Sequence, residues 1–114
     1  MVERLALIGA GVIGKRHLLA SRKSSKTAIV AIVDPGPDAR VFAASEGLDY
    51  FGTHDAMFDK IAPSGVIVAT PNNHHFEPTV AALNLGCHVL VEKPIMATLD
   101  EAEQVCAMSE ATAR

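Results

Sequence analysis

The chain has 114 residues, 49% of them hydrophobic and only 4% aromatic, which is the length of one domain with a core built from Val, Ile, Leu and Ala. Ten Lys and Arg against thirteen Asp and Glu leave a formal charge of −3, which favours neither nucleic acid nor an anionic membrane as a partner. Cys87 and Cys106 form no CxxC pair or disulfide framework, and no apolar run approaches the ~20 residues that span a bilayer, so a cytoplasmic protein with small-molecule partners is expected.

The opening MVERLALIGAG pairs a charge with an apolar run, as a leader does, but it has no cleavage region and reads as mature structure. Leu5 to Ile8 is expected to form a buried strand. Gly9, Gly11 and Gly14, with Val12 and Ile13 between them, then supply GxGxxG where a helix begins. The first glycine permits a tight turn, the second lets a phosphate approach the backbone, and the third lets helix pack on strand. The helix that follows aims its free N–H groups at the phosphates. It should run from Val12 to Ser21, with Ile13, Arg16, His17 and Ala20 near helical spacing. A methyltransferase GxGxG would need glycine at Ile13, and a Walker loop would need Ser or Thr at Arg16. Nor does the sole tyrosine, Tyr50, have the lysine four residues on that a short-chain dehydrogenase pair requires. Lys15, Arg16, Arg22, Lys23 and Lys26 read either as a solvated face or as help for a phosphate-bearing ligand.

Thr27 to Val33 is the next β-branched run, and it stops at Asp34, about 20 positions beyond the glycines. An acid there accepts hydrogen bonds from adenosine ribose hydroxyls and repels a 2′-phosphate, which argues for NAD over NADP. Pro37 suits the first position of a short helix closed by Gly47, and Leu48 to Phe51 reads as a brief edge strand. Thr53 is an N-cap for HDAMFDKI, and Pro63-Ser64-Gly65 is a turn. Val66 to Ala69 is the fourth strand. Its polar exit, Thr70 to His75, feeds a helix that ends near Leu85 and is closed by Gly86.

Cys87 to Val91 is the fifth strand and leads into Glu92-Lys93-Pro94. Thr98 and Glu101 have capping-box spacing, and Ala102, Val105, Cys106, Ser109 and Ala113 mark one face of a last helix. Strands and helices alternate throughout, so the expected fold is α/β, a doubly wound parallel sheet of order 3-2-1-4-5. A complete fold of this type adds a sixth strand, which makes residues 1–114 read as a dinucleotide-binding domain truncated from a longer protein, with an open fifth-strand edge.

Ligands of open α/β sheets bind at the carboxyl ends of strands, where Lys93 and the loop around Asn72 lie. On position alone Lys93 is either a surface lysine or a group that hydrogen-bonds a substrate hydroxyl or gives it a proton. Pro94 restricts it to extended geometry. His74 and His75 either cap the following helix or contact ligand. No set of His and Cys has metal-ligand spacing, so no metal is expected.

Taken together, GAGVIG, ATPNNHH and ALNLGCHVLVEKP resemble the Gfo/Idh/MocA family of NAD(P)-dependent oxidoreductases, from Leu5 to about Glu110. The resemblance implies an N-terminal Rossmann domain followed by a larger α/β domain that binds substrate and mediates oligomerisation. It implies that Lys93 acts beside the nicotinamide, that Glu92 and Pro94 shape its loop, and that Thr70, Pro71, Asn72 and His75 line the cofactor pocket. It further implies a second-domain acid or base and a sugar-like or polyol substrate. A non-catalytic NAD-binding sensor or interaction domain is the alternative, and a structural Rossmann unit with no ligand is a third.

Overall fold

Alternation along the first strand decides the layering, because successive side chains of a strand point to opposite faces. The computed structural model describes residues 2–71, 74–92, 96 and 98–112. Strand β1 (Glu3–Ile8) sends Leu7 to one face, where it packs with Leu18, Ile29, Ile32, Ala39, Ala43 and Ile67. Ala6 and Ile8 go to the other face, with Ala31, Val33, Met57, Val66, Val68 and Ala82. The first face is covered by α1 (Val12–Ser21) and α2 (Pro37–Ser45), and the second by α3 (His54–Lys60) and α4 (Phe76–Asn84). Helix α5 (Leu99–Thr112) packs on α4.

The remaining strands are β2 (Thr27–Val33), β3 (Asp49–Phe51), β4 (Gly65–Val68) and β5 (His88–Val91). All pair in parallel in the order β3-β2-β1-β4-β5, as expected from the alternation of elements. The order reverses direction at β1, between β2 and β4, and opens a crevice at their carboxyl ends.

Several boundaries differ from expectation for local reasons. Strand β1 starts at Glu3 rather than Leu5 because Glu3 and Arg4 pair with Thr27 and Ala28. Gly65 belongs to β4 and not to the preceding turn. It pairs with both Leu5 and His88, and a Cβ there would stand 3.1 Å from Leu5 Cδ2 and 3.2 Å from the His88 carbonyl oxygen. Cys87 precedes β5, since its N–H closes α4 on the Ala82 carbonyl at 2.9 Å and its thiol donates to Pro63 O at 3.3 Å. Leu48 likewise closes α2 on Ala43 before β3 begins. Gly47 and Gly86 close their helices in the left-handed region, at φ of 71° and 78°.

Two expected helix patterns differ in part, α1 in its phase and α5 at Cys106, while Ala102, Val105 and Ser109 are sheltered as expected. In α1 the inward stripe is Gly14, His17, Leu18 and Ser21, whereas Ile13, Arg16 and Ala20 are exposed, because Gly14 must lie against the glycine turn. In α5 the sheltered positions are Glu101, Ala102, Val105, Met108 and Ser109, whereas Cys106 faces solvent. Ala113 lies outside the described residues. Thr98 Oγ1 accepts the Glu101 N–H at 3.1 Å, and Thr53 Oγ1 accepts that of Ala56 at 3.2 Å, so both expected N-caps form.

Candidate functional site

The crevice between β2 and β4 is floored by the turn from β1 into α1. Gly9 has φ of 102°, and its N–H donates to Val33 O at 2.7 Å. A Cβ on Gly9 would stand 2.6 to 2.7 Å from Ala69 C and O and Thr70 N, so the loops after β1 and β4 touch where only glycine fits. A Cβ on Gly14 would collide with the Gly9 carbonyl oxygen. Gly11 contrasts with both: nothing lies within 4 Å of where its Cβ would be. The cradle is therefore closed on the protein side at Gly9 and Gly14 and open outward at Gly11.

Gly11 is also the N-cap of α1 and offers no side chain to its free N–H groups. The first turns of α2, α3, α4 and α5 carry Asp38, Asp55, Glu77, and Asp100 with Glu101, whereas that of α1 has no acid. Its dipole end is left electropositive and faces the open side of the turn. Val12 and Ile13 are 70% and 43% exposed on this first turn, an apolar surface beside the opening.

Asp34 forms the second wall. Its Oδ2 accepts the Ala10 N–H at 2.9 Å and its Oδ1 accepts the Gly36 N–H at 2.8 Å. Its backbone N–H donates to Phe51 O at 3.1 Å, and Tyr50 Oη donates to its carbonyl at 2.7 Å. The residue is held from four sides while its carboxylate stays half-exposed, and each oxygen keeps further acceptor capacity. Tyr50 is a site-supporting residue that reading the sequence did not identify, since its role depends on β3 lying beside β2.

The third wall is the exit of β4. His75 is 1% exposed, and its Nε2–H donates to the Thr70 carbonyl at 2.7 Å. A carbonyl only accepts, which assigns the proton to Nε2. His75 thus braces the loop from behind, so the surface presented forward is that of half-buried Thr70 and exposed Pro71. Thr79 Oγ1 donates to the His75 carbonyl at 2.7 Å, and the His74 N–H donates to Pro71 O at 2.8 Å. Asn72 lies outside the described residues.

At the end of β5, Glu92 donates its N–H to Val68 O at 3.1 Å, and its Oε1 pairs with His17 Nε2. His17 lies three residues after Gly14 and so shares its inward stripe once Gly14 is packed on the turn. Lys93 and Pro94 lie outside the described residues. Of the basic cluster, Lys15 Nζ sits 4.8 Å over the Phe42 ring and Arg22 pairs with Glu46, so both turn toward α2. Arg16, Lys23 and Lys26 are exposed. No three described His, Cys, Asp or Glu side chains are grouped to hold a metal ion, and no described helix is long and apolar enough to cross a membrane.

A parallel sheet with this glycine turn at its switch point defines a dinucleotide-binding domain of the Rossmann class. Residues 3–114 match the family model described as GFO_IDH_MocA, an oxidoreductase family with an NAD-binding Rossmann fold, and the chain belongs to that family. It is 34% identical over 107 residues to the rhizopine catabolism protein MocA of Rhizobium meliloti, which covers 94% of this chain and 34% of that one. It is 37% identical over 102 residues to an inositol 2-dehydrogenase of Leifsonia xyli, covering 88% and 30% respectively. The structure of a scyllo-inositol dehydrogenase from Lactobacillus casei, with bound NAD(H) and scyllo-inositol, superimposes with a TM-score of 0.92 at 25% identity over 99% of this chain and 34% of that one. The chain spans about a third of the length of these relatives.

Proposed function

We propose that this chain is the NAD-binding domain of an oxidoreductase that moves a hydride between the nicotinamide and a carbinol carbon of a sugar, cyclitol or related polyol. The observation that carries the reading is the union of the open Gly11 turn with the anchored Asp34 carboxylate, through the Ala10 N–H. In this reading the pyrophosphate lies over Gly11, Val12, Ile13 and the N-terminus of α1, while Gly9 and Gly14 shape the turn beneath it. Asp34 accepts the adenosine ribose hydroxyls and disfavours a 2′-phosphate. Thr70, Pro71 and Asn72 border the nicotinamide half, with His75 acting through Thr70.

Bound NAD would supply the hydride acceptor, and the protein's part is to orient the substrate and handle its proton. We assign the orienting part to Lys93, whose ammonium hydrogen-bonds the reacting oxygen with Glu92 and Pro94 setting its loop, while the substrate's proton passes to a base of a further domain. Residues 1–114 act as the dinucleotide domain, and a further domain of the longer protein supplies most substrate contacts and the subunit interface. The relatives support the substrate class through the inositol named in one structure and the inositol dehydrogenase among the matches. The family match is to oxidoreductases and lends no support to a non-catalytic sensor.

Assaying the complete gene product against a panel of polyols and sugars with NAD tests the reading. Reduction of NAD with at least one, abolished by Lys93→Ala, is the expected result. NAD reduction that survives Lys93→Ala contradicts the role given to the lysine.

A further inference from the structure

Resting on the NAD reading above, we propose that His17 is a positioning residue, which with Glu92 latches the glycine helix to the strand end that runs into Lys93. The two residues are 75 apart in sequence, yet His17 Nε2 meets Glu92 Oε1. Each is anchored independently. His17 sits on the same stripe of α1 as Gly14 and Leu18, which are packed against the β1 turn and the core. Glu92 is bonded through its N–H to Val68 at the end of β4, in register with the Val68 and Val91 pair.

The latch therefore ties the helix that begins at the phosphate turn to the residue immediately before Lys93. Strand β5 pairs only with β4 among the described elements, so its end has backbone support on one side. The side-chain pair adds a second support from the α1 side. The two groups are 23% and 36% exposed, partly withdrawn from water, so the pair is less screened than a fully solvated one. Its consequence falls on geometry: the end of β5 cannot slide or lift relative to α1 without separating His17 from Glu92. Displacements near 1 Å at a hydride-transfer site have large effects on reactivity. Adenosine contacts at Asp34 lie at the end of β2, across β1 and β4 from this pair.

The test compares NADH with ADP-ribose, which shares its adenosine and phosphates but lacks the nicotinamide. Each is titrated into the chain and into His17→Ala, Glu92→Ala, the double variant and His17→Gln, with thermal melting recorded for all. The latch predicts that His17→Ala and Glu92→Ala weaken NADH binding by about three- to tenfold while ADP-ribose affinity stays within about twofold. The double variant should lose no more than either single one, and His17→Gln, which can still donate to Glu92, should restore most of the loss. Equal losses for both ligands, additive losses in the double variant, or unchanged NADH affinity would overturn the latch. If His17→Ala fails to fold, Glu92→Ala carries the comparison. An unaltered chain that binds neither ligand overturns the NAD reading itself, which separates the two failures.

Discussion

Asp34 Oδ2 accepts the Ala10 N–H at 2.9 Å, so the acid at the end of β2 is bonded into the glycine turn that lies 24 residues earlier. One carboxylate thus does two things: it shapes the turn and faces the ligand. Asp34→Ala removes the acceptor for both Ala10 and Gly36 N–H groups along with the proposed ribose contact. A hydrogen bond to a charged group is worth about 1.5 to 3 kcal/mol, so NADH affinity should fall roughly ten- to hundredfold, together with a lowered Tm. Nicotinamide fluorescence titration and thermal melting check the two effects separately.

The three glycines of the turn should behave differently. Gly14→Ala places a methyl group against the Gly9 carbonyl, so both stability and nucleotide binding should fall. Gly11→Ala meets no protein atom within 4 Å, so Tm should change by no more than the loss from a modest backbone perturbation while binding drops at least tenfold. Equal Tm losses in the two variants would show that Gly11 serves packing and not ligand approach. Melting curves with and without NADH distinguish these outcomes.

Tyr50→Phe deletes the hydroxyl that donates to the Asp34 carbonyl and leaves the ring in place. A lost neutral hydrogen bond costs about 0.5 to 1.5 kcal/mol, so NADH affinity should fall about two- to tenfold. Because the effect reaches ligand through Asp34, Tyr50→Phe should add little in an Asp34→Ala background, which a double-mutant cycle measures.

Met57→Ala should destabilise the domain by about 2 to 5 kcal/mol, since Met57 is fully buried between α3 and the sheet. Denaturant unfolding gives the value. The core is remote in role from the glycine turn, so the folded fraction should keep the NADH affinity of the unaltered chain.

Most of the sheet was legible because its strands are short β-branched runs set off by glycine, proline and acid, as Thr27–Val33 ending at Asp34 illustrates. The glycine turn was legible from its GxGxxG spacing after an apolar run, although the contact of Gly9 with Ala69 and Thr70 is long-range. What escaped depends on tertiary phase. The inward stripe of α1 follows from Gly14 touching Gly9, and only that contact turns His17 inward toward Glu92. Tyr50 supports Asp34 because β3 pairs with β2, a relation that periodicity does not carry. His75 reads from its place in the polar loop as a ligand contact or a cap, but it is buried under Thr70 because its ring donates to that carbonyl.

The central claim, that this domain binds NAD and reads its ribose through Asp34, is tested most directly by parallel titrations with NADH and NADPH followed by nicotinamide fluorescence. The account predicts saturable binding of NADH and an affinity for NADPH at least about tenfold weaker, a difference of ~1.4 kcal/mol. Failure to bind either nucleotide, or a preference for NADPH, would contradict it.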